Sequence, residues 1–159
     1  MSTAALIDAM VIVPTLTWLG PPYDSPEANL LLVAIGQQES AFKTRKQHGG
    51  PARGYWQFEQ RGGCDEFARV SSIQPFRNAA RQLGFQTNAD ATYFAIGAGA
   101  DQLACIMARG ILWPDPEPLP ARGDSSAAYV YYKRVWRPGK PSQVRWDASY
   151  ATAMQVVPA

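Results

Sequence analysis

The segment from Ser25 to Ser40 contains the clearest structural signal in this sequence. Ser25, Pro26 and Glu27 form a typical helix start, with a capping side chain, a proline in the first turn and an acid near the positive end of the helix dipole. The residues that follow repeat at helical spacing, so that Leu31, Leu32, Ile35 and Glu39 share one face. The sequence therefore predicts a helix that ends near residue 40 and packs against a hydrophobic core.

The rest of the chain also favours helices, and a length of 159 residues indicates one domain spanning residues 1–159. Further helices are predicted at residues 3–19 with a break near Pro14, and at 65–71, 75–83, 89–96, 100–112, 124–135 and 146–156. Residues 43–63 are rich in glycine and predict an irregular segment or a small hairpin. The predicted fold is mainly α, either all-α or α+β.

Composition excludes several classes of site. Fifteen basic and thirteen acidic residues give a net charge of +2, which is too even for an obligate nucleic-acid coat. One histidine, His48, and two cysteines exclude a Cys/His zinc finger and argue against a His-based metal site, and a Ser-His-Asp triad would have to use that same histidine. Cys64 and Cys105 are expected to be reduced thiols. An enzyme of this composition is expected to work with carboxylates and without a metal or cofactor.

Glu39 is the most informative single residue. It stands in the last turn of a helix face that otherwise points to the core. Burying an ionised carboxylate is costly, so its pKa is expected to rise and the group to stay protonated near neutral pH. A protonated acid beside a groove can donate the proton that cleavage of a glycosidic bond requires. The alternative is a helix-end glutamate that turns outward to solvent.

Two further segments extend this pattern. Gln37–Phe42 is followed, after a basic loop, by Gly54–Glu59 with the sequence Gly-Tyr-Trp-Gln-Phe-Glu. The pair resembles the lysozyme-like lytic transglycosylases and goose-type lysozymes, whose catalytic Glu-Ser pair ends a helix and precedes a Gly-Leu-Met-Gln type of segment. Tyr55-Trp56 replaces Leu-Met here. Together with residues 131–141, these motifs look like small phage-encoded peptidoglycan-degrading enzymes of the endolysin type, and the resemblance implies a compact, helical, lysozyme-like domain.

The resemblance also implies roles for individual residues. Glu39 would act as general acid and then as base, and Ser40 would hydrogen-bond and orient the glutamate or the sugar. Gln57 would hold an N-acetyl group or the peptide stem, and Tyr55 would offer a flat face to a sugar ring. Each has a structural alternative: a polar helix end for Ser40, and an ordinary strand surface for Gln57. If this segment is a strand, Trp56 and Phe58 point together into the core.

A tyrosine-bearing helix opposite the glutamate is a further feature of the resembled family. Tyr132 is the candidate in this sequence, since Ala128-Tyr129 matches the family motif only in part and Val130 replaces its asparagine. Tyr132 would lie near Glu39 and hydrogen-bond it or the reacting sugar. A core tyrosine with a locally satisfied hydroxyl is the alternative.

The number of carboxylates separates two reactions. Ordinary glycosidases use a pair of them, and the only acid near Glu39 in the sequence before Asp65 is Glu59. A lytic transglycosylase needs only one, because the C6 hydroxyl of muramic acid attacks intramolecularly and closes a 1,6-anhydro ring. This favours a transglycosylase that cuts the β-1,4 bond between N-acetylmuramic acid and N-acetylglucosamine. The alternative is a hydrolytic muramidase that uses Glu39 with Glu59.

Two non-catalytic interpretations remain open. Basic and aromatic residues alternate between Tyr129 and Trp146, a pattern also typical of surfaces that bind single-stranded nucleic acid. The second non-catalytic interpretation is a structural virion protein with a lysozyme-like fold. The favoured prediction is a monomer that binds the peptidoglycan glycan strand, with no nucleic-acid partner and no membrane span. It would be made in the host cytoplasm without a signal peptide, and would reach the wall by a holin-dependent route or be carried in the virion.

Overall fold

A computed structural model describes all residues from Met1 to Ala159 and confirms a mainly helical fold. The α-helices are α1 (Thr3–Ile7), α2 (Val13–Leu19), α3 (Pro26–Ser40), α4 (Asp65–Arg69), α5 (Gln74–Gln82), α6 (Ala89–Gly97), α7 (Asp101–Leu112), α8 (Ser125–Trp136) and α9 (Gln143–Val156). Two π-helical turns, Asp8–Ile12 and Gln60–Cys64, and a 3₁₀ turn, Ser71–Ile73, complete the helical segments. None of the helices is long and apolar enough to cross a bilayer.

The first helical segment continues through Pro14, so the predicted break is wrong. The π-helical turn Asp8–Ile12 joins α1 to α2, and both Ile12 and Val13 keep right-handed helical dihedral angles. Pro14 lies in the first turn of α2, where its missing N–H and preset φ are tolerated. The π turn thus keeps helical backbone dihedrals up to the residue before the proline.

Helix α3 is the centre of the molecule. The Ser25 hydroxyl accepts a hydrogen bond from the amide of Ala28 at 3.1 Å and begins the helix as predicted. Every side chain in residues 30–35 is at most 2% exposed, including those outside the predicted apolar face. A helix that is hydrophobic on all sides must be enclosed, and α3 is covered by α7, α9 and the π-helical turn Asp8–Ile12.

Residues 43–63 form an irregular segment without a regular strand. This agrees with the first of the two predictions for this part of the chain, an irregular segment or a small hairpin. Isolated bridges join Arg53 to Lys46 and to Phe58, and residues 54–57 form a tight turn in which Gln57 adopts a left-handed φ of 54°. This turn inserts Trp56 into the core, where its indole N–H donates to the carbonyl of Leu32 at 2.9 Å. Trp56 and Phe58 are therefore core residues, as predicted, but a turn and not strand alternation places them there.

The C-terminal end of α3 is closed by a backbone reversal. Ala41 and Phe42 both adopt left-handed conformations, with φ of 51° and 53°. The Phe42 ring consequently folds back over α3 and lies edge-on to Tyr55 and Trp56, at centroid distances of 5.6 and 5.9 Å. The ring occupies the space where a side chain at residue 36 would stand, and Gly36 leaves that space open.

Both cysteines are buried and form no disulfide, which is the predicted state. Burial raises the pKa of the Cys64 thiol to about 11 and that of Cys105 to about 12. Neither thiol is therefore a nucleophile at neutral pH.

The packing of Phe42 on Gly36 gives a prediction for stability. In Gly36→Ala the added Cβ would collide with the ring of Phe42, which is packed against Tyr55 and Trp56. We expect the free energy of unfolding to fall by about 1–2 kcal/mol, even though alanine favours helices over glycine. Urea unfolding of the purified variant measures this change.

A double-mutant cycle with Phe42→Leu supplies the control. Leucine is smaller and makes room for the added methyl group, so the loss in Gly36→Ala/Phe42→Leu should be smaller than the sum of the two single losses. Strictly additive losses would show that the Phe42 ring does not cause the loss of stability in Gly36→Ala.

Candidate active site

Glu39 lies at the end of α3 and is half-buried. Its Oε1 accepts a hydrogen bond from the Tyr132 hydroxyl at 2.6 Å, which is the contact expected from the sequence. Its Oε2 makes no hydrogen bond within the protein and is not fully buried. One oxygen of the carboxyl group is thus held by the protein, and the other is accessible.

Burial raises the pKa of the Glu39 carboxyl above its ordinary value near 4.5, because desolvation disfavours the ionised form. Two groups act in the opposite direction. The Tyr132 hydroxyl donates a hydrogen bond that favours the carboxylate, and the positive charge of Arg145 attracts it. The net rise shows that desolvation exceeds both of these effects.

Tyr132 is held in place by an aromatic stack between α8 and α9. Its side chain is 2% exposed, and its ring lies 4.6 Å from that of Trp146 at an interplanar angle of 16°. The indole N–H of Trp146 donates to the carbonyl of Ser125 at 3.1 Å and locks the stack to the start of α8. Burial and the neighbouring carboxylate both raise the pKa of Tyr132, so its hydroxyl stays a donor to Glu39.

Arg145 is a site residue that sequence reasoning placed only in a general basic segment. It lies in the first turn of α9, exposed, and one of its Nη atoms donates to the carbonyl of Gln38 at 3.4 Å. The Gln38 side chain in turn accepts from the Ser149 hydroxyl at 2.8 Å. The packing of α9 along α3 brings Arg145 to Glu39, 106 positions away in the chain, and no sequence pattern in either segment encodes that pairing.

Ser40 differs from its expected role. Its hydroxyl donates to the carbonyl of Tyr55 at 2.7 Å and accepts from the amide of Phe42 at 3.1 Å, and it makes no hydrogen bond to Glu39. Ser40 therefore joins the end of α3 to the turn at residues 54–57. It stabilises the segment that carries Glu39 without touching the carboxyl group.

Tyr55 and Gln57 are also tied to the protein itself. Tyr55 is 7% exposed, and the Arg45 guanidinium covers its ring at 4.6 Å, so the expected open face for a sugar ring is absent. Arg45 is held there by Asp101 through two hydrogen bonds of 2.7 Å. The Gln57 amide donates to the carbonyl of Gly54 at 2.8 Å. Gln57 remains half-buried, and its left-handed backbone stores strain close to the end of α3.

Glu59 is exposed and forms neither a hydrogen bond through its side chain nor an ion pair. The groups that shift the pKa of Glu39 are Tyr132 and Arg145, with no carboxylate among them. Glu59 thus makes no hydrogen bond to Glu39 or to any other side chain that a catalytic pair of carboxylates would use. The structure also contains no cluster of three metal-ligating side chains.

Comparisons of the chain with protein-family models, curated proteins and solved structures found no match. The chemistry of the site is consequently argued from its geometry. A carboxyl group with a raised pKa, one hydrogen-bonded oxygen and one accessible oxygen can donate a proton to a bound molecule. The carboxylate that this donation leaves is stabilised by Tyr132 and Arg145 and can act as a base.

Removing the Tyr132 hydroxyl should change the titration of Glu39. In Tyr132→Phe the ring stays in its stack but the donor is lost, so the pKa of Glu39 should rise further. The lost hydrogen bond should lower the free energy of unfolding by about 1–2 kcal/mol at neutral pH. Carbon-detected NMR titration of the Glu39 carboxyl and urea unfolding measure the two effects.

Tyr129→Phe is the matched control, because Tyr129 lies on the same helix and in the same stack but its hydroxyl makes no hydrogen bond. It should leave the pKa of Glu39 unchanged. An equal shift in both variants would contradict the assignment of Tyr132 as the donor.

The raised pKa of Glu39 also predicts a pH-dependent stability. The folded protein holds this proton more tightly than the unfolded chain, so the contribution of Glu39 is fully favourable below about pH 4.5 and is lost as pH rises through the folded pKa. Glu39→Gln carries no such charge. Its free energy of unfolding relative to the wild type should therefore increase with pH across that window in urea titrations. A relative stability that falls with rising pH would mean that the folded state lowers the pKa.

Proposed function

We propose that this protein cleaves the glycan strand of bacterial peptidoglycan as a lytic transglycosylase. The bond cut is the β-1,4 linkage between N-acetylmuramic acid and N-acetylglucosamine, and Glu39 is the general acid and base. The observation that carries the proposal is the half-buried Glu39 carboxyl, with a raised pKa, a hydrogen bond from Tyr132 and no second carboxylate acting on it. The resemblance of residues 37–42 and 54–59 to this class of enzyme supplies the substrate.

The lone carboxyl group is what favours transglycosylation over hydrolysis. Hydrolysis with a positioned water or a covalent intermediate uses a second acid at about 5–10 Å. Glu59, the candidate for that role, is exposed and forms no hydrogen bond or ion pair that would position it. An attack by the substrate's own hydroxyl needs no positioned water, and its intramolecular character lowers the entropic part of the barrier.

In the proposed reaction Glu39 takes part in two proton transfers. The accessible Oε2 donates its proton to the glycosidic oxygen as the bond from C1 of muramic acid breaks, and the N-acetylglucosamine end leaves as an alcohol. The resulting carboxylate takes the proton of the C6 hydroxyl as that oxygen bonds to C1 and closes the 1,6-anhydro ring. Between the two steps Tyr132 and Arg145 stabilise the negative charge on Glu39.

The surface around the site suits an acidic polymer. Residues 133–145 contain five basic residues and no acidic ones. Arg134 and Arg137 are paired with Asp115 and Glu66, whereas Arg145 is exposed and acts on Glu39. Carboxylates of muramyl and peptide groups would be attracted to such a surface. Four aromatic rings that flank this segment, those of Tyr129, Tyr131, Tyr132 and Trp146, are at most 7% exposed and are therefore unsuited to stacking with nucleic-acid bases.

The resemblance to small phage enzymes places the proposed activity in a phage infection. The protein would act on the wall either at the end of infection, with a holin-type partner, or from the virion during entry. These two settings share the same chemistry at Glu39.

Product analysis with two variants tests the proposal. The wild-type protein should release fragments with 1,6-anhydromuramyl ends from purified peptidoglycan, as identified by mass spectrometry. Glu39→Gln should lower the rate by at least about 10²–10⁴-fold because it cannot donate the proton. Its circular dichroism spectrum should remain that of the wild type.

Glu59→Gln is the matched control. It should keep the wild-type rate and the same products if Glu39 acts alone. Reducing-end muramic acid in the products, together with loss of activity in Glu59→Gln, would instead establish the hydrolytic muramidase. Lysis by Glu39→Gln at the wild-type rate would remove Glu39 from the mechanism.

A further inference from the structure

A cleft lies at the opposite end of α3 from Glu39. It has a volume of about 570 Å³, within the range of sites for small molecules. Its walls come from the first turn of α3, the end of α7, the proline-rich loop at residues 114–121 and one tyrosine of α8. With a rise of 1.5 Å per residue, the twelve positions between Glu27 in this cleft and Glu39 correspond to about 18 Å. The two sites are therefore separate.

The most unusual group in the cleft is Arg109. It is 3% exposed, yet it forms no ion pair with any carboxylate. Its Nε donates to the carbonyl of Tyr23 at 2.9 Å, while one Nη atom is buried without any hydrogen-bond partner. A buried charge that lacks a counter-ion is costly to the fold. An anionic group bound in the cleft would supply the missing counter-ion.

The position of Arg109 is well defined without a ligand. The Tyr23 carbonyl holds one side of the guanidinium, and the ring of Trp113 lies 5.5 Å from its central carbon. The Trp113 ring is in turn packed edge-on against Tyr23 at 4.7 Å. The guanidinium is thus held in a preorganised orientation, which reduces the entropy cost of binding.

The rest of the cleft is acidic, so a simple anion would not fit it well. Asp115 is neutralised by Arg134 through two hydrogen bonds of 2.9 and 3.0 Å. Glu27 and Glu117, by contrast, line the cleft and form no ion pair. Two free carboxylates beside one buried cation favour a ligand that carries charges of both signs.

Apolar side chains also line the cleft. Leu112, Trp113 and Leu119 line the cleft together with Arg109 and the acids. A ligand with a short apolar part between its charged ends would bury that part against them.

We propose that this cleft binds a zwitterion of the amino-acid or short-peptide class. Its carboxylate would pair with Arg109, its ammonium group with Glu27 and Glu117, and its apolar side chain with Trp113 and the two leucines. This inference is independent of the reaction at Glu39 and holds or fails without it.

Three probes that differ only in their charged ends test the proposal by isothermal titration calorimetry on the full chain. They are the dipeptide Ala-Leu with free termini, its N-acetyl derivative and its C-terminal amide. The free dipeptide should bind at least about tenfold more tightly than either blocked form, because each blocked form loses one charge-assisted interaction. Equal binding of a blocked form, or no binding of any probe, would overturn the proposal.

Variants of the cleft residues test which side chain binds which charged end of the dipeptide. Glu117→Gln, at an exposed position, should reduce the preference for the free dipeptide over its N-acetyl form, and Arg109→Gln should remove the preference over the amide. Arg81→Gln removes an exposed arginine outside the cleft and should leave all three affinities unchanged. If Arg109→Gln fails to fold, Glu117→Gln still tests the proposal. An unchanged preference for the free dipeptide in that variant would refute the role of Glu117 in binding the ammonium group.

Discussion

The complete burial of α3 is the constraint on which the rest of the structure depends. Six consecutive residues of this helix, 30–35, are almost inaccessible to solvent, so the fold must cover it on every side. Helices α7 and α9 pack against it, and Trp56 is inserted from the turn at residues 54–57, hydrogen-bonded to the α3 backbone. Polar side chains of α3 can reach solvent only at the two ends of the helix, and both candidate sites lie at these ends.

At the C-terminal end, several unfavourable features are concentrated around Glu39. The carboxyl group is partly desolvated and stands at the negative end of the helix dipole, and both effects oppose its ionisation. The nearby backbone at Ala41, Phe42 and Gln57 is left-handed without glycine. Such strain persists only where the surrounding packing imposes it. Here Phe42 and Ser40 impose it, by clamping the helix end to the turn at residues 54–57.

Each end of α3 lies beside a charged group that the protein does not fully compensate. One end presents an acid whose neighbours are a tyrosine hydroxyl and an arginine charge, and the other a buried arginine without a counter-ion. Each group costs folding free energy in the unliganded protein, and each would be compensated by a bound molecule of suitable charge or by proton transfer to one. Stability given up at such positions is typical of functional sites.

The sequence alone determined the mainly helical architecture and the residues around which the helices begin and end. Caps, prolines and hydrophobic periodicity act within one or two helical turns, so they can be recognised in the sequence, as at Ser25 and Glu39. It did not determine the groups that act on Glu39. Tyr132 was inferred by resemblance, and Arg145 was assigned only to a basic segment. Tertiary structure alone decided that Ser40 and Tyr55 support the scaffold, that Glu59 is exposed without a partner, and that Arg109 is buried without a counter-ion. These outcomes depend on how α8, α9 and the turn at residues 54–57 pack around α3, and contacts between residues far apart in the chain leave no local pattern in the sequence.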